Sequence, residues 1–308
     1  MRFYVIGDVS VDLMYFVDAL PRPGEETPAT RALIKPGGAA ATVAANLASL
    51  GHKVALAARV GTGPFRETAL VNLKRVGVDL GPLQEDEEHP TSSILVFVIA
   101  GGDRTMVSSA GASRHLDAAA FKARALDQVD ALVVSAYALA GGASREYALR
   151  ALASAAKRGL TVFADLGTGA IRAAGEHLLE DLSGVDYLLM NRHELAALTG
   201  KDSISAGVQT LRHHGIERAV VKLGALGSMV VTPETEALIE PHAVDDVIDS
   251  TGAGDAYTAA FAAAVMEGRD PIEAARRANV AGALVATHVG AQGYLVKPED
   301  LEAVVPSK

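Results

Sequence analysis

Asp249-Ser250-Thr251-Gly252-Ala253-Gly254-Asp255 follows Val244–Ile248 and opens an alanine-rich segment that carries Tyr257, Phe261 and Val265 at helical spacing. Two glycines let the backbone turn tightly and approach a ligand closely. At a helix start the N–H groups of Gly252, Ala253, Gly254 and Asp255 lack intrahelical acceptors, which suits an anion such as a phosphoryl group. A carboxylate inside an anion hole needs a further reason to be there. Asp255 is placed to accept a proton from a hydroxyl attacking that phosphorus. A bare G-x-G-D is more often a tight loop with an acidic helix cap, but the seven-residue string is far more specific than that.

Outward from this string the chain alternates short β-rich runs with amphipathic segments. Strands are predicted at Phe3–Val9, Val54–Val60, Ala131–Ser135, Leu160–Asp165, Val185–Met190, Ala219–Leu223 and Ser228–Thr232. Several are nearly continuous apolar runs, as in a parallel sheet buried on both faces. Val43, Leu47 and Leu50 repeat at helical spacing and stop at Gly51, and Leu70, Leu73 and Val76 do so before Gly77. Asp270-Pro271-Ile272-Glu273 reads as an N-cap, a first-turn proline and a capping-box acid. The alternation predicts an α/β fold with a doubly wound, mostly parallel central sheet flanked by helices.

Two stretches break the rhythm. Residues 12–36 hold strand-like pieces among Pro21, Pro23 and Pro28. Residues 91–109 read as a hairpin, with Ser93–Ile99 and Arg104–Ser108 joined by a turn at Ala100–Asp103. Both are expected in one small β-sheet projecting over the ligand cleft as a lid, a discontinuous part of one domain spanning 1–308. Such a sheet leaves an open edge, so a homodimer through the lids is expected.

Composition narrows the function. The 308 residues are 49% hydrophobic, enough for a large core, and the longest uncharged apolar run, Ala256–Met266, is far short of a membrane span. Asp8 and Asp12 interrupt the N-terminal apolar run, unlike a secretory leader. Cysteine is absent, which excludes disulfides, thiolate metal sites and a cysteine nucleophile, and fits a cytoplasmic chain. A net charge of −9 argues against nucleic acid or an anionic membrane as partner. Neither a G-x-x-x-x-G-K-[ST] loop nor a G-x-G-x-x-G fingerprint occurs. His193-Glu194 lacks the second histidine of a zinc-protease helix, and no G-x-S-x-G elbow is present.

The opening string resembles the C-terminal signature D-[ST]-x-G-A-G-D of the ribokinase-like (PfkB) carbohydrate kinases. Lys35-Pro36-Gly37-Gly38, ahead of the helix ending at Leu50-Gly51, resembles their N-terminal glycine pair. The likeness runs through the whole chain: Asp12, the lid stretches, Asn191 with Glu194, Lys222-Leu223-Gly224, and the closing Ala278-Asn279 and Gly290-Ala291.

The resemblance implies transfer of the γ-phosphoryl group of ATP to a hydroxymethyl group, a reaction of positioning and charge neutralisation. It makes Asp255 the base and Gly252, Ala253 and Gly254 the anion hole. Asn191 and Glu194 would organise Mg²⁺ and phosphates, Glu194 through water. Lys222 would reach the nucleotide phosphates, Gly224 and Gly227 bound the nucleotide pocket, and Asn279 lie beside the adenine. On the acceptor side Asp12 would accept from sugar hydroxyls, Gly37 and Gly38 permit close approach, and Thr42, Arg104 and Tyr137 are further candidates. Asp249 and Thr251, with carbonyls near Ala286 and Val289, match a monovalent-cation loop that holds K⁺ in many members.

From the residues alone, plainer roles stand beside these. Glu194 can be a first-turn acid, Lys222 a strand-end lysine, Asn279 an interhelical amide, Tyr137 core, and Asp249 a loop-shaping acceptor.

Three departures fall near the acceptor pocket. Thr42 stands where the family has asparagine, Ser113 ends the usual Gly-Ala-Asn, and Asp165-Leu166-Gly167-Thr168-Gly169 replaces a D-x-N-x-x-R region. Few aromatics lie near the lid (Tyr15, Phe16, Phe97, Tyr137), which limits base stacking, so the acceptor is expected to be a small sugar or sugar acid of the ribose, fructose or 2-keto-3-deoxygluconate type. A nucleoside or phosphosugar kinase, the latter drawing on Arg104 and Arg114, and a catalytically silent sugar- or nucleotide-binding regulator are the alternatives.

Overall fold

The computed structural model describes residues 1–99 and 104–302. In chain order its strands are β1 (Arg2–Ile6), β2 (Ser10–Val17), β3 (Arg31–Gly37), β4 (Lys53–Ala57), β5 (Arg59–Gly61), β6 (Gln84–Asp86), β7 (Ser92–Ile99), β8 (Arg104–Ser109), β9 (Ala131–Ser135), β10 (Thr161–Asp165), β11 (Tyr187–Asn191), β12 (Ala219–Lys222), β13 (Ser228–Val231) and β14 (Glu236–Ile239). The helices are α1 (Ala39–Ser49), α2 (Arg66–Arg75), α3 (Gly142–Arg158), α4 (Thr168–Ala174), α5 (Leu178–Asp181), α6 (Arg192–Thr199), α7 (Ile204–His213), α8 (Ala253–Met266), α9 (Pro271–Ala286) and α10 (Pro298–Glu302).

An eight-stranded sheet of order β14-β13-β12-β11-β10-β9-β1-β4 forms the centre. From β12 to β4 every pairing is parallel; β13 and β14 complete one edge antiparallel. Side chains of a strand alternate between faces, so Phe3 and Val5 join one buried cluster and Tyr4 and Ile6 the other. The first cluster is closed by α1, α2, α8 and α9, the second by α3 to α7. Burial from both sides explains why the strands read as continuous apolar runs. Helix α8 is apolar nearly all round because it is almost fully enclosed, against α9 and α1 as well as the sheet. Its small alanines allow that close approach, while Phe261 packs edge-on to Phe163 and Tyr187 of the sheet.

The second sheet, of order β3-β2-β7-β8, brings together the two stretches expected to share one small sheet. It begins at Ser10, two residues before the expected boundary, and its expected turn, Ala100–Asp103, lies outside the described residues.

Other differences have local causes. The run Val54–Val60 is two strands. The chain leaves the main sheet after Ala57, and β5 pairs with β6 in a separate two-stranded ribbon. Phe3–Val9 stops pairing at Ile6, because Gly7 passes within contact of Ala40 and Ser135 and the chain turns toward β2. Asp270 caps α9 as expected, accepting from the N–H groups of Ile272 and Glu273. Glu273, however, turns to Arg276 and Arg277, and no capping box forms there.

Phe261→Ala should open a cavity where α8 meets the sheet and lower the unfolding free energy by ~3–5 kcal/mol. Urea denaturation followed by circular dichroism measures it.

Candidate active site

Ser135, Asp165, Asn191 and Lys222 stand at the carboxyl ends of β9, β10, β11 and β12. The register sets Asp165 beside Ser135, and Asn191 beside Lys222. This end of a parallel sheet is where an α/β fold places its ligands. Helix α8 points its first turn there.

The seven-residue string arrives as read. Gly252 is the N-cap of α8 with φ 80°, and a side chain there would meet the Ala291 carbonyl at 2.3 Å, so only glycine fits. Asp255 lies in the first turn. Its carboxyl is held well above the usual carboxylate range, by burial first and then by the charge of Asp165; Asp8 and Glu194 add to the effect and Lys222 opposes it. A carboxylate of raised pKa is a stronger base, which suits proton removal from a hydroxyl near neutral pH.

Lys222 is engaged from three sides. Its Nζ donates to Asp165 Oδ1 at 2.6 Å, to the Gly254 carbonyl at 3.0 Å and to Thr258 Oγ1 at 2.9 Å. All three ammonium protons are spent. The lysine therefore braces the first turn of α8 from beneath, since residues 254 and 258 lie one turn apart. Asp165, Thr258 and Asp8 carry the local electrostatics, and the sequence offered no motif for any of them beyond the departure at Asp165. Asp8 accepts from Ala39 N and Ala40 N at 2.9 and 3.3 Å, the free end of α1, and burial holds its carboxyl above the usual range.

Asn191 and Glu194 form a reciprocal capping box at α6. Asn191 Oδ1 accepts from Glu194 N at 2.9 Å, and Glu194 Oε2 from Asn191 N at 2.8 Å. Glu194 Oε1 has only a long contact, 3.4 Å from Thr168 Oγ1, and faces the same cleft. Burial raises the Glu194 carboxyl too.

Gly227 and Asn279 converge on one stretch of backbone. A side chain at Gly227 would strike the Ile239 carbonyl at 2.0 Å, and Asn279 Nδ2 donates to the carbonyls of Ile239 (3.4 Å) and Glu240 (2.8 Å). Gly224 turns with φ 61° in the exposed loop between β12 and β13.

At the root of the lid, Asp12 is 2% exposed and its Oδ1 has no hydrogen-bond partner. Ser10, two residues earlier and so on the same face of β2, is also buried with an unpartnered hydroxyl. No motif in the sequence marks Ser10. Gly37 lies against the Asp12 carboxyl, where a side chain would come within 2.4 Å, and Gly38 turns with φ 96° against the backbone of Asp8 to Ser10. Burial, with Asp249 and Asp8 nearby, pushes the Asp12 carboxyl up to about 7.

The departures from the family pattern have structural correlates. Tyr137 lays its ring over Gly167 and Gly169, where added side chains would come within 2.6 and 3.1 Å of it. The ring stays 38% exposed, and its hydroxyl is pushed up to about 12 by burial and by Asp8, Asp255 and Glu194. Ser113 Oγ accepts from Ser92 Oγ at 2.7 Å. Thr42 is fully buried, with its hydroxyl 3.4 Å from Gln292 Nε2, inside the α1 packing.

Arg104 reaches from β8 to the string itself. Its Nη1 donates to Asp249 Oδ1 at 2.6 Å and to Thr251 Oγ1, and its Nη2 to Ser250 Oγ. Ala286 lies behind this loop, its carbonyl accepting from Ile248 N and Asp249 N. Val289 follows one turn on and precedes Gly290, whose N–H donates to Asp249 Oδ2 at 2.8 Å. Arg114 is exposed in the turn Gly111–His115.

Asp12 sets a pH dependence. Because its folded value, about 7, lies above its ordinary 3.8, the folded chain keeps a proton that the unfolded chain releases in between. The contribution to stability therefore falls as pH rises through that window, by up to ~4 kcal/mol. Urea unfolding at pH 5 and pH 8 should show the fall in the wild type and a flatter response in Asp12→Asn.

The family model described as pfkB family carbohydrate kinase matches residues 2–298. The chain is 29% identical over 301 residues to a ribokinase of Bacillus subtilis, covering 98% of each chain. It is 30% identical over 320 residues to a fructokinase of Vibrio alginolyticus, covering 97% of each. The crystal structure of adenosine kinase from Sinorhizobium meliloti superposes with a TM-score of 0.87 at 23% identity, covering 99% of both chains. With a match along nearly its whole length, the chain belongs to the pfkB family of carbohydrate kinases.

Proposed function

We propose that the protein transfers the γ-phosphoryl group of ATP to a hydroxymethyl group of a small sugar or sugar acid. The observation that carries this reading is the pair of buried, unpartnered groups at the lid root, Asp12 and Ser10. A buried polar atom without a partner costs stability. Vicinal hydroxyls of a polyol would supply the missing donors, and Gly37 and Gly38 leave room for them.

In this reading Asp255 orients the acceptor hydroxyl and takes its proton as the oxygen attacks phosphorus. The N–H groups of Gly252, Ala253 and Gly254 receive the negative charge that develops on the transferring group. Lys222 fixes their direction from below rather than touching the phosphates. Glu194 Oε1 is the open carboxylate oxygen for Mg²⁺, which would neutralise phosphate charge. Among the described residues no three carboxylate or histidine side chains enclose an ion, which suits a cation that keeps part of its water shell. Gly224 and Gly227 border the nucleotide, and Asn279 supports that wall through the backbone at Ile239 and Glu240. Tyr137 offers the sugar ring an apolar face.

A sugar is favoured over a nucleoside because few aromatic side chains lie near the lid to stack on a base. A phosphosugar is disfavoured because Arg104 is committed to Asp249. Among the described residues no helix is long and apolar enough to cross a membrane. As a separate part of this proposal, we place the activity in the cytoplasm. The lid exposes Tyr15, Ile34, Met106 and Val107, and its outer strands β3 and β8 have free edges. A homodimer through the lids would cover them.

A coupled ADP-release assay with ATP and Mg²⁺ tests the function on ribose, fructose, 2-keto-3-deoxygluconate, adenosine, pseudouridine and fructose phosphates. Turnover on one sugar or sugar acid, reduced at least ~100-fold in Asp255→Asn, is expected. Exclusive turnover on adenosine, or full turnover in the mutant, would overturn the acceptor or the base respectively. Light scattering at micromolar concentration should give twice the chain mass, and a monomer would refute the lid dimer.

A further inference from the structure

The loop before the anion hole does not fit the monovalent cation that its sequence suggests. Asp249 Oδ1 already accepts from Arg104 Nη1 (2.6 Å), Thr251 N (3.0 Å) and Thr251 Oγ1 (2.6 Å), and Oδ2 accepts from Gly290 N (2.8 Å). The Ala286 carbonyl accepts from Ile248 N (2.9 Å) and Asp249 N (3.1 Å), which occupies both of its lone pairs. A bare ion needs several of these oxygens at once. Here Asp249 Oδ1 and the Ala286 carbonyl are saturated, and a full positive charge already rests on the carboxylate.

The geometry points to Arg104 as a built-in replacement for that cation. Its planar fork spans Asp249, Ser250 and Thr251, three consecutive residues leading into Gly252. A guanidinium is permanently charged, weakly hydrated and rigid, so it can hold a short loop as an ion does while fixing direction as well. Unlike an ion, it is tethered: it stands on lid strand β8, opposite Val98 of β7. Docking of the lid and ordering of the anion-hole approach therefore become one event. Arg104 acts as a positioning residue through Asp249 and Thr251. Nothing in this assignment depends on which acceptor is used.

Thermal unfolding at constant ionic strength tests it without turnover, comparing potassium, sodium and tetramethylammonium chlorides on wild type, Arg104→Met and Arg104→Lys. Wild type should unfold within ~1 °C in all three salts. Arg104→Met should unfold earlier in tetramethylammonium and recover by ~2–4 °C in potassium, with saturation, as an ion enters the vacated place. Arg104→Lys keeps the charge and should stay indifferent. A merely structural arginine would lower the unfolding temperature equally in every salt. Potassium-specific stabilisation of wild type or of Arg104→Lys would overturn the assignment, and so would an Arg104→Met protein as indifferent as wild type.

Discussion

One buried ammonium organises the cleft. Asp8, Asp165, Glu194 and Asp255 all face the carboxyl ends of the parallel strands, and Lys222 is the cation set among them. A buried ion pair contributes little net stability against a well-packed apolar substitute, but losing one partner leaves an uncompensated charge. Its worth here lies in geometry. By bonding Asp165, the Gly254 carbonyl and Thr258 together, Lys222 fixes the tip of α8 relative to β10 and β12. The direction of the N–H groups at the start of α8 follows from that brace.

One ammonium against four carboxylates leaves an excess of negative charge; burial raises all four carboxyls, and neighbouring carboxylates add to the rise at Asp165, Glu194 and Asp255. The same excess makes the site a poor host for an anion until a cation accompanies it, so the nucleotide and its Mg²⁺ are expected to enter together. The acidic composition of the chain and the binding of a polyanion are thereby reconciled without a basic patch.

The fold was legible where one physical signal dominated. Burial on both faces made β9 and β10 readable to within a residue, and Gly51 and Gly77, each at positive φ, marked the ends of α1 and α2. The break at Ala57 was hidden because Ala58 and Val60 are as apolar as the strand before them. Strand β14 was missed because its buried and exposed positions mix Glu236, Ala237, Leu238 and Ile239 without clear alternation. In the site, the glycines and Asp255 could be found because they occur in a fixed string. Ser10 could not, since a serine in a strand carries no signal until its hydroxyl is seen buried without a partner. The commitment of Lys222 and Arg104 to Asp165 and Asp249 was equally invisible, because those partners lie 57 and 145 residues away.

The seating of Tyr137 over Gly167 and Gly169 has a bearing on how such a pocket can change. The ring and the two missing side chains form a lock and its recess, and neither can be altered singly. Any larger residue at 167 would strike the ring 2.6 Å away, and a small residue at 137 would leave a trough where the glycines are. Routes between related pockets must therefore cross a less fit intermediate or change both places together.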